Sequence, residues 1–335
     1  MKKIVALILA TIMLMSLVGC DHLKNNDDTT PPEQVKIRIG YMAGPTGMGM
    51  AKLIHDNGGL DNGNEKYSFT KYADTNAAKA DLAAGNIDII CLPTNEAAQY
   101  VNTIDNDAKV LAINCLNSLY LLTSSVYMIN SLSELDGQTV YTCKNGTPRI
   151  IIQHIIDMLG LNIKVSYEID GKEIVTPQDL STCVVLGLVP NAVMPEPVVT
   201  SALLTIAKND TPYINYTVDI NLADEWDKIY DTPLAMGCIV ADGDFVKHHK
   251  DSLNDFLQEY KDSVEYIGNI ANIDSASNYV VETGVMGAVP AAKMALNNLG
   301  NSITYIEGEE MKNALINFYN ALGIALPDDS FYYEK

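Results

Sequence analysis

Arginine is almost missing from this chain: only Arg38 and Arg149 occur in 335 residues, and Lys and Arg together number 22 against 42 Asp and Glu, for a formal charge of −20. Without a basic patch to neutralise phosphates, a nucleic-acid partner is excluded, as is tight peripheral binding to anionic lipid. The acidity reads as solvation of the surface. Paired cysteine spacing is missing too. Cys91, Cys115, Cys143, Cys183 and Cys238 form no CxxC and lie in apolar runs, so buried free thiols are the default and one disulfide stays open. The five histidines, His22, His55, His154, His248 and His249, make neither HxxxH nor HExxH, which speaks against a metal site. There is no GxSxG elbow and no Ser, His or Cys in a nucleophile setting. Nothing calls for a cofactor. Aromatics are few, 7%. Tyr41, Tyr120, Tyr127 and Tyr141 fall near strand ends, where core and edge packing competes with stacking on a ligand ring.

What is present begins at the N-terminus. Lys2 and Lys3 precede an apolar stretch, Ile4 to Met15, too short and wrongly flanked for a membrane span. It ends in Leu17-Val18-Gly19-Cys20, the pattern of a bacterial lipobox, in which small residues precede a cysteine that takes a lipid. Residues 1–19 are therefore expected to be a lipoprotein signal peptide and Cys20 the lipidated mature terminus, exported and held by lipid rather than by a helix. Loss of Lys2 and Lys3 with the leader deepens the charge from −20 to −22. Residues 20–34, with two prolines and no apolar periodicity, read as a flexible tether. The remainder is long enough for two domains of ordinary size.

From Val35 the pattern alternates between strand and helix. VKIRIGYM, YSFTKY, IDIICLP, AKVLAINCL and LYLLTSSV read as strands. Met48–Asn57, the Ala-rich TNAAKADLAAGN with Thr75 or Asn76 as N-cap and Gly85 as stop, and TNEAAQYVN read as helices. A second unit repeats the theme, with a strand at Thr139–Cys143 and a helix in which Pro148 suits the first turn and Gly160 the end. Next come strands KVSYEI, NAV, INYTVDI and PLAMGCIVADG, the helices TPQDLSTCVVLG and NLADEWDKIY, and one opened by Pro195 and Pro197. Everything after Asp244 reads as helical. Short connections between alternating elements argue for an α/β doubly wound architecture.

In open α/β sheets ligands sit beyond the carboxyl ends of the strands. Here those loops are Ala43–Met48, Pro93–Asn95, Asn114–Ser118, Lys144–Pro148 and Pro195–Pro197, rich in Gly, Thr, Asn and Pro. The first, GYMAGPTGMGMAKLI, is not a P-loop: Lys52 stands three residues after Gly49 and no Ser or Thr follows it. Nor do Gly44, Gly47 and Gly49 have dinucleotide spacing, and only Asp74 is offered as a ribose acid. A loop that presents helix N-terminal N–H groups to a small ligand is the better reading, with a turn that needs glycine for backbone reasons as the competitor. KNGTP, Lys144 to Pro148, has the same form in the second unit. Arg149 either points into the cleft or lies on the helix surface. Glu196, stiffened between two prolines, either contacts a ligand or hinge or complements a helix N-terminus.

Taken in order, the lipobox, the tether, KIRIGYMAGPTGMGMAKLI, KADLAAGNIDIICLPTNEAA, VLAINCLNSLYLLTS, SLSELDGQTVYTCKNGTPRIIIQHIIDMLGL and AVMPEPVVTSAL resemble the substrate-binding lipoproteins of ABC transporters. The nearest branch is the nitrate/sulfonate/taurine-type group, which includes thiamine-precursor binders. The resemblance implies a two-lobed type II periplasmic-binding-protein fold, each lobe a doubly wound, mostly parallel sheet, with a ligand cleft between them. Lobe 1 would comprise residues 35–125 and 240–335, and lobe 2 residues 126–239, hinged near Thr123–Ser125 and Gly237–Ala241. It implies a monomer that captures a small molecule, without catalysis, and delivers it to a permease and its ATPase. Matching the family's loops, Gly44, Pro45, Thr46, Gly47, Met48, Thr94, Asn95 and Asn114 would meet Lys144, Asn145, Gly146, Thr147 and Glu196 across the cleft. The near-absence of arginine departs from anion-binding relatives, and a neutral or cationic ligand suits the acidic chain better. A membrane-anchored sensor or assembly lipoprotein of the same fold, and an exported α/β enzyme, are the competing classes.

Overall fold

The computed structural model describes residues 35–60, 64–104, 107–124, 128–209 and 215–335. The leader, the tether with Cys20, and Ser125 and Tyr127 lie outside the described residues.

Thirteen strands are described: β1 (Ile37–Met42), β2 (Tyr67–Tyr72), β3 (Ile89–Pro93), β4 (Lys109–Leu116), β5 (Leu119–Thr123), β6 (Thr139–Tyr141), β7 (Lys164–Ser166), β8 (Glu168–Ile169), β9 (Lys172–Glu173), β10 (Asn191–Pro195), β11 (Thr217–Asn221), β12 (Ala235–Ala241) and β13 (Ile303–Ile306). They make a six-stranded sheet in the order β13-β4-β12-β3-β1-β2, a five-stranded sheet in the order β11-β5-β10-β6-β7, and a small β8-β9 hairpin. In the first sheet β1, β2 and β3 run parallel, while β12 is inserted antiparallel between β3 and β4. In the second, β10, β6 and β7 run parallel, while β5 is inserted antiparallel between β10 and β11. Each sheet thus takes a reversed strand from the chain of the other lobe, and the first sheet has a second reversed strand, β13, at its edge against β4. The alternating pattern yields the two-lobed, mostly parallel α/β architecture.

The apolar pattern follows from covering both faces of each sheet. Along β3, Ile89 and Cys91 face one core while Ile90 and Leu92 face another. In β10, Ala192 and Met194 face outward helices and Val193 the opposite side. The layer holding Ile90, Leu92 and Val110 of the first sheet is continuous with Leu121, Val140 and Val193 of the second. The C-terminal helix Gly308–Ala321 crosses this junction, where Phe318 packs on Trp226 at a centroid distance of 6.0 Å.

Several sequence expectations need correction. Leu119–Thr123, placed with lobe 1, belongs to the second sheet, and Ala235–Ile239, placed with lobe 2, belongs to the first. The chain changes sheets at Asn117–Ser118, not at Thr123–Ser125, and changes back before Ala235, not at Gly237–Ala241. The polar breaks at Asn117-Ser118 and Asp231-Thr232-Pro233 separate strands in the sequence but do not show that the next strand joins the other sheet. Asn117 is left-handed, φ 49°, and its N–H donates to the Leu234 carbonyl at 3.1 Å, which ties the two crossings together. The tail after Asp244 is not wholly helical: Ile303–Ile306 forms an edge strand against β4. The helix expected from Met48 starts at Pro45 and is interrupted at Met50. Pro195 ends β10, and the next helix begins at Val198.

The helix Thr75–Ala83 is capped one residue earlier than its sequence suggests. Asp74 Oδ1 accepts from the N–H groups of Asn76 and Ala77 at 2.8 and 3.2 Å. Asp74→Ala is therefore expected to lower the unfolding free energy by about 1 kcal/mol. Asn76→Ala should change it by less than about 0.5 kcal/mol. Urea titration of the two variants checks this, and the reverse order would move the cap back to Asn76.

Candidate functional site

The carboxyl ends of the central strands carry the loops that bring the two lobes together. In lobe 1, β3 ends at Pro93 and the helix Thr94–Ile104 starts at once. In lobe 2 a tight loop after β6 turns into the helix Thr147–Leu159. Gly146 there adopts φ 94°, a conformation that favours glycine, and Pro148 presets the first turn. The two helix starts meet side by side: Thr147 Oγ1 donates to Asn95 Oδ1 at 2.6 Å, with both residues buried. Next to it Thr94 is fully buried. Its carbonyl accepts from Tyr319 Oη at 3.2 Å, while its hydroxyl, beside the Cys238 thiol, has no hydrogen-bond partner by distance and angle.

Below the first loop lies a second polar cluster. Asn114, on β4, is fully buried; its Nδ2 donates to Tyr260 Oη at 2.8 Å and to Cys91 Sγ at 3.4 Å, and its Oδ1 is unpartnered. Thr46 stands beside it. Both close over Gly237, where an added Cβ would come within 2.4 Å of Thr46 Cγ2 and 2.9 Å of Asn114 Oδ1. Only glycine admits this approach of the first loop to β12. An unpartnered buried polar atom costs about 1–3 kcal/mol, so Thr94 Oγ1 and Asn114 Oδ1 are places where a polar ligand group has the most to gain.

Glu196 forms a separate seam. It follows β10, is 1% exposed, and its peptide to Pro197 is cis. Its Oε1 accepts from Asn298 Nδ2 at 2.8 Å and from Thr200 Oγ1 at 3.0 Å, and its Oε2 accepts from the Thr200 N–H at 3.2 Å. Asn298 belongs to the helix Val289–Leu299, and its carbonyl accepts from Tyr120 Oη at 2.9 Å. Glu196 thus holds the start of its own helix and ties the second sheet to a helix from the C-terminal part of the chain. Burial raises its pKa above the ordinary carboxylate range, and the donated hydrogen bonds oppose that only in part.

The other candidates are distributed unevenly. Gly44, Pro45 and Gly47 form the buried backbone of the first turn, and Met48 packs wholly into the lobe 1 core. Lys144 pairs with Glu173 at 2.7 Å, and Asn145 is exposed next to it. Arg38 is taken by Asp88 at the opposite end of the strands, and Arg149 lies over the Tyr167 ring, 5.6 Å from its centroid. The five cysteines of the described residues are free. Tyr260, Asn298 and Tyr319 are not legible as site residues in the sequence, and Gly237 is legible there only as part of a hinge segment. The first three sit on long helices as ordinary members of an apolar or polar face, and only their partners, more than 90 residues away in each case, reveal them.

No protein-family model and no curated protein sequence matches the chain. Solved structures do. A crystal structure of an ABC transporter from Parabacteroides distasonis aligns with a TM-score of 0.68 and 19% identity, over 90% of this chain and 99% of that one. The periplasmic aliphatic sulphonate binding protein SsuA of Escherichia coli aligns at 0.65 and 15%, over 90% and 92%. The periplasmic nitrate-binding protein NrtA of Synechocystis aligns at 0.58 and 13%, over 83% and 75%. The chain therefore has the fold of the periplasmic binding proteins of ABC transporters, with neighbours from the nitrate and sulfonate group.

The Glu196 seam has a pH signature. Its folded pKa is above the unfolded value, so the stability linked to this group is fully present below about 4.3, the ordinary glutamate value, and is lost as pH rises through the raised folded value. Glu196→Gln removes that slope. Wild-type stability minus variant stability, from denaturant titrations, should be larger at pH 4 than at pH 7; a difference independent of pH would show that this carboxyl is not perturbed.

Proposed function

We propose that this chain is the solute-binding component of an ABC importer, closing two lobes on a small molecule and presenting the closed form to a permease. The observation that carries the reading is the meeting of two helix starts from different sheets through Thr147 and Asn95, with the buried Thr94 hydroxyl next in the chain; the Asn114 cluster under Thr46 is a separate polar group in lobe 1. A ligand that contacts both lobes adds its binding free energy to the closed arrangement alone and shifts the population toward it. Thr46, Thr94, Asn95, Asn114 and Thr147 are assigned to the ligand, and Glu196 with Asn298 to the seam that closes beside it. The fold neighbours are binding proteins by name, which supports the same role here.

Binding without covalent chemistry fits the thiols beside this region. Burial pushes Cys91 and Cys115 up to about 12 each, far from a reactive thiolate. No helix among the described residues is long and apolar enough to cross a membrane. In this reading the lipid on Cys20 holds the protein at the membrane, outside the cytoplasm, and residues 20–34 give it reach.

The direct test is a melting-shift screen of the protein from Val35 onward against small amines, pyrimidines, sulfonates, amino acids and short peptides. A ligand at a hundred times its Kd adds about 2.7 kcal/mol of stability. Thr46→Val should weaken the ligand by about tenfold or more, as expected for a lost hydrogen bond in a closed site, while the ligand-free melting temperature moves little. Thr147→Val should weaken it similarly but also lower the ligand-free melting temperature, because it leaves the buried Asn95 Oδ1 without its donor. Silence across the panel by a folded protein would favour a sensor or assembly role.

A further inference from the structure

A second concavity, of about 350 Å³, lies along the outer face of the helix Thr147–Leu159 and shares no lining residue with the cleft. Arg149, Ile150, His154 and Asp157 come from that helix, Tyr167 from the segment after β7, and Leu322 from the end of the C-terminal helix that lobe 1 contributes. Arg149 and Asp157 are eight residues apart, two turns along one helix face, so the concavity has a cationic end and an anionic end about 12 Å apart.

Arg149 is unusual in this acidic chain. The other arginine is consumed by Asp88, but Arg149 is exposed and forms no ion pair among the described residues; it lies over Tyr167, whose ring Lys144, itself paired with Glu173, also approaches at 6.0 Å. Its planar fork remains available for a two-point carboxylate contact. The walls beside it are apolar at Ile150 and Leu322 and aromatic at Tyr167, with Gln153 as the polar member, its Nε2 donating to Asp157 Oδ1 at 2.8 Å. His154 closes the floor. Its Nε2 is 2.7 Å from Tyr230 Oη, and its ring stacks on Tyr230 within 14°. It is therefore held in place as a surface rather than free to seek an anion.

We propose that this concavity is a second binding site, for an aromatic monocarboxylate, with the carboxylate on Arg149 and the ring against Tyr167 and Leu322. A dianion is disfavoured by Asp157 at the far end. The volume is at the lower edge of what small-molecule sites use, which suits a single ring. Because Leu322 belongs to lobe 1 and the other walls to lobe 2, occupancy is also sensitive to how the lobes sit. The proposal stands apart from the cleft ligand and does not require the importer reading.

The test is calorimetric titration of the protein from Val35 onward with phenylacetate at low salt, and with phenylacetamide as the uncharged isostere. Saturable binding of one phenylacetate is expected, with phenylacetamide and the Arg149→Gln variant each about tenfold weaker or worse, as for loss of a charge-assisted contact. Thr46→Val, in the lobe 1 loop of the cleft and on a different element from Arg149, should leave phenylacetate binding unchanged. Arg149 is on the surface, so its variant should melt with the wild type, and the same melting curve verifies that it is folded. No saturable binding, equal affinity for the amide, unchanged affinity in Arg149→Gln, or loss of binding in Thr46→Val would each overturn the proposal.

Discussion

The structure turns on the exchange of one strand between sheets. β5 enters the second sheet antiparallel immediately after Asn117–Ser118, and β12 re-enters the first sheet antiparallel between β3 and β4. The Asn117 N–H to Leu234 carbonyl bond fixes the two crossing segments against each other. Around that crossing the lobes also meet where Thr147 reaches Asn95, where Glu196 accepts from Asn298, and where Phe318 packs on Trp226.

These contacts are of different kinds and respond to different things. The Trp226–Phe318 junction is apolar and continuous with a core layer that runs through both lobes. The Glu196 seam is a buried carboxylate satisfied by three donors and no cation, so it is sensitive to proton binding. The Thr147–Asn95 bond is neutral and short. Of the three, it alone uses groups that a polar ligand could equally well engage, with the unpartnered Thr94 hydroxyl next to it in the chain. The contacts between the lobes therefore divide: the apolar junction and the Glu196 seam hold them in register, and the Thr147–Asn95 bond is the one whose groups a polar molecule could compete for.

Much of this architecture is legible in the residues alone. Pro148 and Gly160 delimit their helix, the apolar run IICLP (Ile89 to Pro93) announces a strand covered on both faces, and Gly146-Thr147 marks a loop that turns into a helix. What is not legible is whatever depends on distant partners. Met48 and Thr46 look alike as members of one loop, yet Met48 goes to the core and Thr46 stays beside Asn114. Lys144 could have faced a ligand; Glu173, on a two-residue strand too short to show periodicity, takes it instead. The four residues of β13 between two helices fall below the length at which alternation can be separated from a helix end. The sheet crossings escape notice because a short polar break, Asn117-Ser118 or Asp231-Thr232-Pro233, looks like any turn between neighbouring strands and does not say which sheet the next strand joins.

The strand exchange also imposes an order on synthesis. A chain emerging from its N-terminus can pair β1 with β2 and β3, but the place between β3 and β4 belongs to β12, more than a hundred residues later. Until that strand arrives, β4 has no neighbour in the finished sheet, and its fully apolar centre, Val110 to Ile113, stays uncovered. The second sheet, by contrast, has all its strands once β11 is made. The lobe that begins first is completed last, so the nascent chain carries an open sheet edge through most of its length.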